Sequence, residues 1–359
     1  MTSQTLPIDL ANPFAVSQAE KEVALLAGLN SLTISHRDRC PGYSAMLEGV
    51  YGTEALVAAG LDRVPYLPVR AFKHFKLKSV PDEAVVRRLT SSGTTGQQVS
   101  QIFLDAETSA LQVRALASIV QDFIGRQRLP MLIVDRTEII RGKMALSARA
   151  AGILGFSNFG RNHFHALNED MQPDWGKIDH FLETCRHKPI LLFGFTWVIW
   201  QNFLQAAIKA GRRFDVGPES ILVHGGGWKK LADQSVDNPT FKSMLKEQFG
   251  IRRVSNYYGM VEQVGSVFME CKEGHFHSPA FADVLMRDLL TLELADSGAV
   301  EVLSLLPRSY PGHAILTEDM GTVLGQDDCP CGRKGKYFQI HGRIPMAEMR
   351  GCSDVRPTS

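Results

Sequence analysis

The sequence predicts an α/β fold, a parallel sheet covered by helices, followed by a strand-rich C-terminal part. Three observations predict it. Short apolar runs (Met131-Leu132-Ile133-Val134-Asp135, residues 189–193, and Ser220-Ile221-Leu222-Val223) alternate with helix-period segments at 106–125, 143–154 and 197–210. Such runs are apolar on both faces, as strands of a parallel sheet with a helix layer on each side must be. From Cys271 onward the helical period gives way to turn signals, Asp296-Ser297-Gly298 and Glu318-Asp319-Met320-Gly321, which mark reversals between strands.

Taken in order, residues 1–62 read as a helical cover. Val23, Leu25, Leu26 and Leu29 have helical spacing, Asn12 or Ser17 offers the cap, and Pro41-Gly42 and Tyr51-Gly52 are breaks. The prolines of Val64-Pro65-Tyr66-Leu67-Pro68-Val69 keep that stretch extended. Residues 98–104 alternate as a strand and close a hairpin around the loop that precedes them. The helix at 106–125 shows one apolar face, Leu111, Ala115, Ile119 and Phe123. Thr196 is placed to cap the helix at 197–210 and Gly211 to end it. Trp197, Trp200 and Phe203 on that helix are core by spacing, with an acyl pocket as the alternative. Residues 252–258 form a further strand.

Composition narrows the function. A net charge of +1 in 359 residues gives no field for nucleic acid. The opening MTSQTLPIDLANP has neither a basic start nor an apolar run, and no stretch approaches a membrane span. Six cysteines in this length are not a secreted disulfide framework. A cytoplasmic protein is expected.

The chemistry-bearing stretches begin with Leu89-Thr90-Ser91-Ser92-Gly93-Thr94-Thr95-Gly96-Gln97-Gln98, behind the basic pair Arg87-Arg88. Hydroxyls and glycines at Ser91, Ser92, Gly93, Thr94, Thr95 and Gly96 make a nest of N–H and O–H donors suited to a polyphosphate, and no Gly-Lys-Ser/Thr follows as in a Walker loop. The alternative is a polar surface turn. His224-Gly225-Gly226-Gly227 stands at the carboxyl end of a strand, where ligands of such sheets gather.

Together with Tyr258-Gly259-Met260-Val261-Glu262, Thr317-Glu318-Asp319 and Gly342-Arg343, this order resembles the adenylate-forming superfamily. The nearer resemblance is to acyl-protein synthetases, the ligase subunit of the fatty-acid reductase complex of bioluminescent bacteria. It is carried by LTSSGTTGQ, AGILGFSNFGR, HGGGWKK, NYYGMVEQVGS, LPRSYPGH and RGCSD, and spans about Pro65 to Asp354. Phenylacetate-CoA ligases resemble the chain more distantly.

The resemblance implies the large-domain fold of adenylate-forming enzymes and the use of ATP with Mg²⁺. It places His224 to Gly227 on the adenine, with Tyr257, Tyr258 and Gly259 beside the nucleotide. Glu262 is implied at the metal ion. The family has threonine where this chain has Val261, which leaves that hydroxyl contact in doubt. Asp319 is implied at the ribose hydroxyls and Arg343 at ribose or phosphate. With only a short stretch after Arg343, the family's small C-terminal domain and its catalytic lysine are expected to be missing. The tail Glu348-Met349-Arg350-Gly351-Cys352-Ser353-Asp354 instead offers Cys352 as the acceptor of the acyl group.

Cys271, His275, His277, Cys329 and Cys331 present thiols and imidazoles, four of which suffice for a structural zinc site. Spacing leaves His275 and His277 open; the resemblance to phenylacetate-CoA ligases favours His277. The expected organisation is 1–62 cover, 63–270 nucleotide and acyl core, 271–345 strand-rich subdomain, and 346–359 acceptor tail. The expected activity is conversion of a carboxylic acid, a fatty acid by resemblance, to acyl-AMP, followed by thioester formation on Cys352 and delivery to a partner such as a reductase. An acyl-CoA ligase and a non-catalytic nucleotide-binding scaffold are the alternatives.

Overall fold

A computed structural model describes residues 10–52, 57–91, 98–140, 148–228 and 235–344. They belong to two compact units, one discontinuous (1–84 with 277–359) and one continuous (85–276).

The first unit opens with α1 (Gln18–Arg39). Ser17, not Asn12, caps it: the Ser17 side chain accepts the Glu20 N–H while the Glu20 carboxylate accepts the Ser17 N–H. The buried stripe is Leu25, Leu29 and Leu32, packed with Leu285, Leu303 and Leu305. Val23, expected on that stripe, is 73% exposed. The break at Pro41 is a boundary between helices. Pro41 itself occupies the first turn of α2 (Pro41–Tyr51), where a missing N–H is harmless. Then come β1 (Leu67–Pro68) and α3 (Ala71–His74).

The second unit begins with the antiparallel hairpin β2 (Arg87–Thr90) and β3 (Gln101–Leu104), Arg87 opposite Leu104. In α4 (Ala106–Ile124), Leu111, Ala115 and Ile119 are buried as expected; Ile124 completes the face and Phe123 is half-buried. The chain continues through β4 (Leu129–Arg136), α5 (Ala148–Ser157), β5 (Gly160–Leu167), α6 (Trp175–Thr184) and β6 (Leu191–Phe195). The helix expected at 197–210 is three pieces: α7 (Thr196–Val198), a wide π turn (Ile199–Leu204) and α8 (Gln205–Lys209). Trp200 and Phe203 are core, and Trp197 is partly exposed. β7 (Ile221–Gly225), α9 (Asn238–Phe249), β8 (Arg253–Tyr258) and β9 (Phe268–Glu270) follow. The strand order is β9-β8-β7-β6-β4-β5, parallel except for β9. Every residue of β6 and β7 is buried, as the two-sided apolar runs require.

After β10 (Phe276–His277), the chain returns to the first unit with β11 (Ala282–Arg287), β12 (Leu294–Ala295), β13 (Ser297–Ser304), β14 (Ala314–Gln326) and β15 (Lys336–Arg343). Their order is β12-β11-β13-β14-β15, antiparallel, with β1 joining β14 in parallel. The reversal expected at Glu318-Asp319-Met320-Gly321 does not occur. These residues continue β14, which is held by partners on both edges, and the irregularity is absorbed as a register shift at Met320/Gly321. Gly321 is there for space: a Cβ would lie 2.8 Å from the Gln339 carbonyl oxygen.

Two buried polar clusters fix this unit. Lys21 Nζ lies 3.1 Å from Asp283, whose other oxygen takes Gln18 Nε2 at 2.7 Å and Lys336 Nζ at 3.2 Å. Burial pushes the Asp283 carboxyl up, but Lys21, Lys336 and Gln18 hold it well below the usual carboxylate range. Removing one partner of such a buried pair costs about 3–5 kcal/mol. In the second cluster the rings of His36 and His313 stack at 5.1 Å. His36 bonds Ser79 Oγ at 2.7 Å and the Pro307 carbonyl at 3.0 Å, while His313 Nε2 meets Thr33 Oγ1 at 3.0 Å and the Tyr43 hydroxyl at 3.4 Å.

Candidate functional site

In the second unit the carboxyl ends of β7 and β8 bring together two of the expected segments. Gly225 pairs with Tyr257 across the ladder, and a Cβ on Gly225 would lie 2.6 Å from the Tyr257 ring. Gly226 has φ +82° and abuts Phe195, whose ring a Cβ would meet at 2.5 Å. No other residue fits both the conformation and the space. Phe195 and Tyr257 therefore wall the glycine segment, and Phe193 and Phe156 back Tyr257 at 6.3 and 4.9 Å. Tyr258 points to the other face of β8, against Phe268 and Phe276.

His224 is buried, its Nδ1 2.9 Å from Thr196 Oγ1 and its ring 5.0 Å from Phe241. Burial, with Lys242 assisting, drives its pKa down to about 3, so it is neutral. Thr196 does not cap its helix. Its hydroxyl is turned to β7, where it also reaches the Gly225 carbonyl at 3.1 Å. Sequence reading missed this pairing, because a threonine at a strand–helix junction looks like a cap.

Beyond β8, Glu262 sits in a single 3₁₀ turn, Val261–Gln263, and is 5% exposed. Val261 is buried too, so an apolar side chain suits the position where a hydroxyl is usual. The base of the hydroxyl-rich loop is closed by the Ser91 N–H to the Ser100 carbonyl at 3.2 Å and the Ser100 N–H to Ser91 Oγ at 2.9 Å. Ser92, Gly93, Thr94, Thr95 and Gly96 lie outside the described residues, as does Cys352.

Asp319 and Arg343 belong to the first unit, directly opposite each other on β14 and β15, with Arg343 Nε 3.8 Å from Asp319. Arg343 also reaches Glu318 at 3.2 Å, and Glu318 is paired with Arg70. Arg343 is 58% exposed, and an ion pair so wet is worth at most about 1 kcal/mol. A ligand can displace it readily.

The Cys/His set converges. The ligand atoms of Cys271, His277, Cys329 and Cys331 all lie within 4.8 Å of one another, and Cys331 Sγ is 3.3 Å from His277 Nε2. Two matching turns present the first thiols: the Gly274 N–H bonds the Cys271 carbonyl at 3.0 Å and the Gly332 N–H bonds the Cys329 carbonyl at 2.9 Å. A tetrahedral site with Zn–S bonds of about 2.3 Å needs ligand atoms roughly 3.8 Å apart, a small contraction of this arrangement. Three sulfurs and one imidazole are a zinc donor set, and the residues fit. His275 is not in the set.

Among the described residues no helix is long and apolar enough to cross a membrane. A family model described as acyl-protein synthetase, LuxE, matches residues 5–358. Two curated relatives are each named long-chain-fatty-acid–luciferin-component ligase. The one from Aliivibrio fischeri is 25% identical over 314 residues, 82% of this chain and 78% of the relative. The one from Vibrio harveyi is 26% identical over 308 residues, 83% and 78%. Among solved structures, the fold matches an open conformation of 2-hydroxyisobutyryl-CoA ligase in complex with 2-HIB-AMP and CoA. The TM-score is 0.69 at 18% identity, covering 92% of this chain and 77% of that one.

Proposed function

The chain belongs to the acyl-protein synthetase (LuxE) family and is a ligase; from that premise we propose that it activates a fatty acid with ATP and passes the acyl group to its own Cys352. In the first step a carboxylate oxygen attacks the α-phosphorus of ATP, the acyl–oxygen–phosphorus bond forms, and pyrophosphate leaves. In the second the Cys352 thiolate attacks the acyl carbon, the carbon–sulfur bond forms, and AMP leaves. A downstream acyl-accepting protein, a reductase in this reading, then receives the acyl group.

The observation that supports this best is the end of β7 and β8, where the aromatic-walled glycine segment and the buried Glu262 follow one another. The reading gives Gly225 to Gly227, Tyr257 and Gly259 to the base; His224, buried against Thr196, and Tyr258, on the other face of β8, were expected there and are supports behind the site instead. Asp319, and Arg343 beside it, take the ribose. The Ser91 to Gly96 loop takes the phosphates by donating hydrogen bonds to their oxygens. Glu262 would hold Mg²⁺, whose contribution is to neutralise charge on the phosphates. The test is pyrophosphate exchange into ATP. It is expected only when both Mg²⁺ and a suitable acid are present. No exchange across short, medium and long acids would leave a nucleotide-binding scaffold as the better reading.

Cys271, His277, Cys329 and Cys331 would hold one structural zinc. Protein purified without added zinc is expected to carry about one equivalent, and Cys329→Ser to lose it. Absence of stoichiometric zinc in the unsubstituted protein sinks this assignment.

A further inference from the structure

We propose that Thr196 is a positioning residue for the nucleotide base: through its hydroxyl it locks the Gly225–Gly226 peptide so that the Gly226 N–H is presented to a ring nitrogen of a purine. This deepens the nucleotide reading of the β7 end and rests on it.

The argument starts from one proton. Thr196 Oγ1 lies 3.1 Å from the Gly225 carbonyl oxygen and 2.9 Å from His224 Nδ1. A hydroxyl has a single hydrogen to give. The carbonyl can only accept, so the Thr196 hydrogen goes to Gly225. The remaining contact is then His224 Nδ1–H donating to Thr196 Oγ1. The tautomer follows from the network: Nδ1 carries the proton and Nε2 bears the lone pair. His224 Nε2 has no hydrogen-bond partner among the described residues, and His224 is 2% exposed. The histidine is thus committed to Thr196.

The peptide is planar and trans, so its C=O and N–H point in opposite directions. With the Gly225 oxygen aimed at Thr196, the Gly226 N–H is aimed away from it. The plane cannot be shifted aside, since the Tyr257 ring lies against Gly225 and the Phe195 ring against Gly226. A donor whose direction is fixed before the ligand arrives loses no rotational freedom on binding.

Thr196 also gives something up for this role. It is 5% exposed and makes no cap bond, and three residues later the helix widens into the π turn Ile199–Leu204. Such turns recur at functional sites.

The experiment compares Thr196→Val, Thr196→Ala and Thr196→Ser in acid-dependent pyrophosphate exchange, with ATP and GTP as alternative nucleotides and thermal unfolding alongside. Valine keeps the shape and removes the hydroxyl; alanine does so without placing a methyl against β7, and decides if the valine variant folds poorly. Both are expected to raise KM for ATP about tenfold while kcat and KM for the acid stay within about twofold. Both are expected to narrow the preference for ATP over GTP, and Thr196→Ser to restore both properties. The proposal is overturned if the hydroxyl-free variants keep the wild-type KM for ATP and the wild-type nucleotide preference. It is also overturned if serine is as impaired as valine, or if all parameters fall together with the unfolding temperature. A wild type active in exchange with unaffected variants removes only this inference. A wild type inactive with every acid removes the nucleotide reading, and this inference with it.

Discussion

Cys352→Ala is expected to retain acid-dependent pyrophosphate exchange and to lose covalent acyl labelling completely. The first half-reaction makes and breaks bonds only at phosphorus, and a thiol takes no part in it. The second needs a nucleophile at the acyl carbon. Cys352 follows Arg343, the last residue of β15, by nine residues, and a thiol on so short a tether has a high effective concentration. The wild-type label should be released by neutral hydroxylamine, as a thioester is. Added CoA separates the alternative: a CoA ligase would form free acyl-CoA equally well with and without Cys352. Label that persists in Cys352→Ala and maps to another cysteine moves the acceptor and leaves the activation step standing.

Acid should weaken the first unit at a pH where most carboxylates are still ionised. Burial holds His36 down to about 3, only partly offset by its bond to Pro307, and holds His313 well below the ordinary histidine value, with His36 adding to the effect. In the unfolded chain both titrate near 6.5. Between that value and the folded one, the unfolded state binds more protons, so stability falls as pH falls. The slope is up to about 1.4 kcal/mol per pH unit for each histidine. From pH 7.5 to 5.0 the pair together would remove about 4 kcal/mol. Nearby Arg39 acts in the same direction on His36, and the Tyr43 hydroxyl stays neutral throughout. Urea unfolding of the first unit at pH 7.5 and 5.0 measures the difference, and His36→Gln should flatten it. Equal stability at both values would mean the cluster admits protons without opening.

The architecture was legible wherever burial is two-sided. β4, β6 and β7 each carry an unbroken apolar run buried on both faces, so they stood out. β5 did not: Arg161, Asn162 and His163 are polar and not buried, as an outermost strand allows, and its composition therefore resembles a loop. α9 has only Phe241, Leu245 and Phe249 as its buried apolar residues, too sparse a stripe to declare a helix. The length of α1 was hidden because its buried face carries Gln18, Lys21, Thr33 and His36 beside the leucines. Those polar groups are buried with partners hundreds of residues away, which no local pattern reports. The same limit applied at the site. The glycine segment stood out by its composition, Glu262 was singled out by the family resemblance, and the Cys/His set by ligand chemistry, with the resemblance favouring His277 over His275. Thr196 was misassigned because its partners, His224 and Gly225, are distant in sequence.

The first unit is assembled from the two ends of the chain, and this sets an order of events during synthesis. Residues 85–276 pair largely with near neighbours in sequence and can fold as they emerge. The Leu25, Leu29 and Leu32 stripe has to wait for Leu303 and Leu305, and Lys21 for Asp283 and Lys336. At typical elongation rates that wait is on the order of ten to fifty seconds. For that interval α1 is an uncovered amphipathic segment with an unpaired lysine on its apolar side. The nascent chain is therefore at its most aggregation-prone when more than half of it is already folded, and slowing translation late in the message lengthens the exposure.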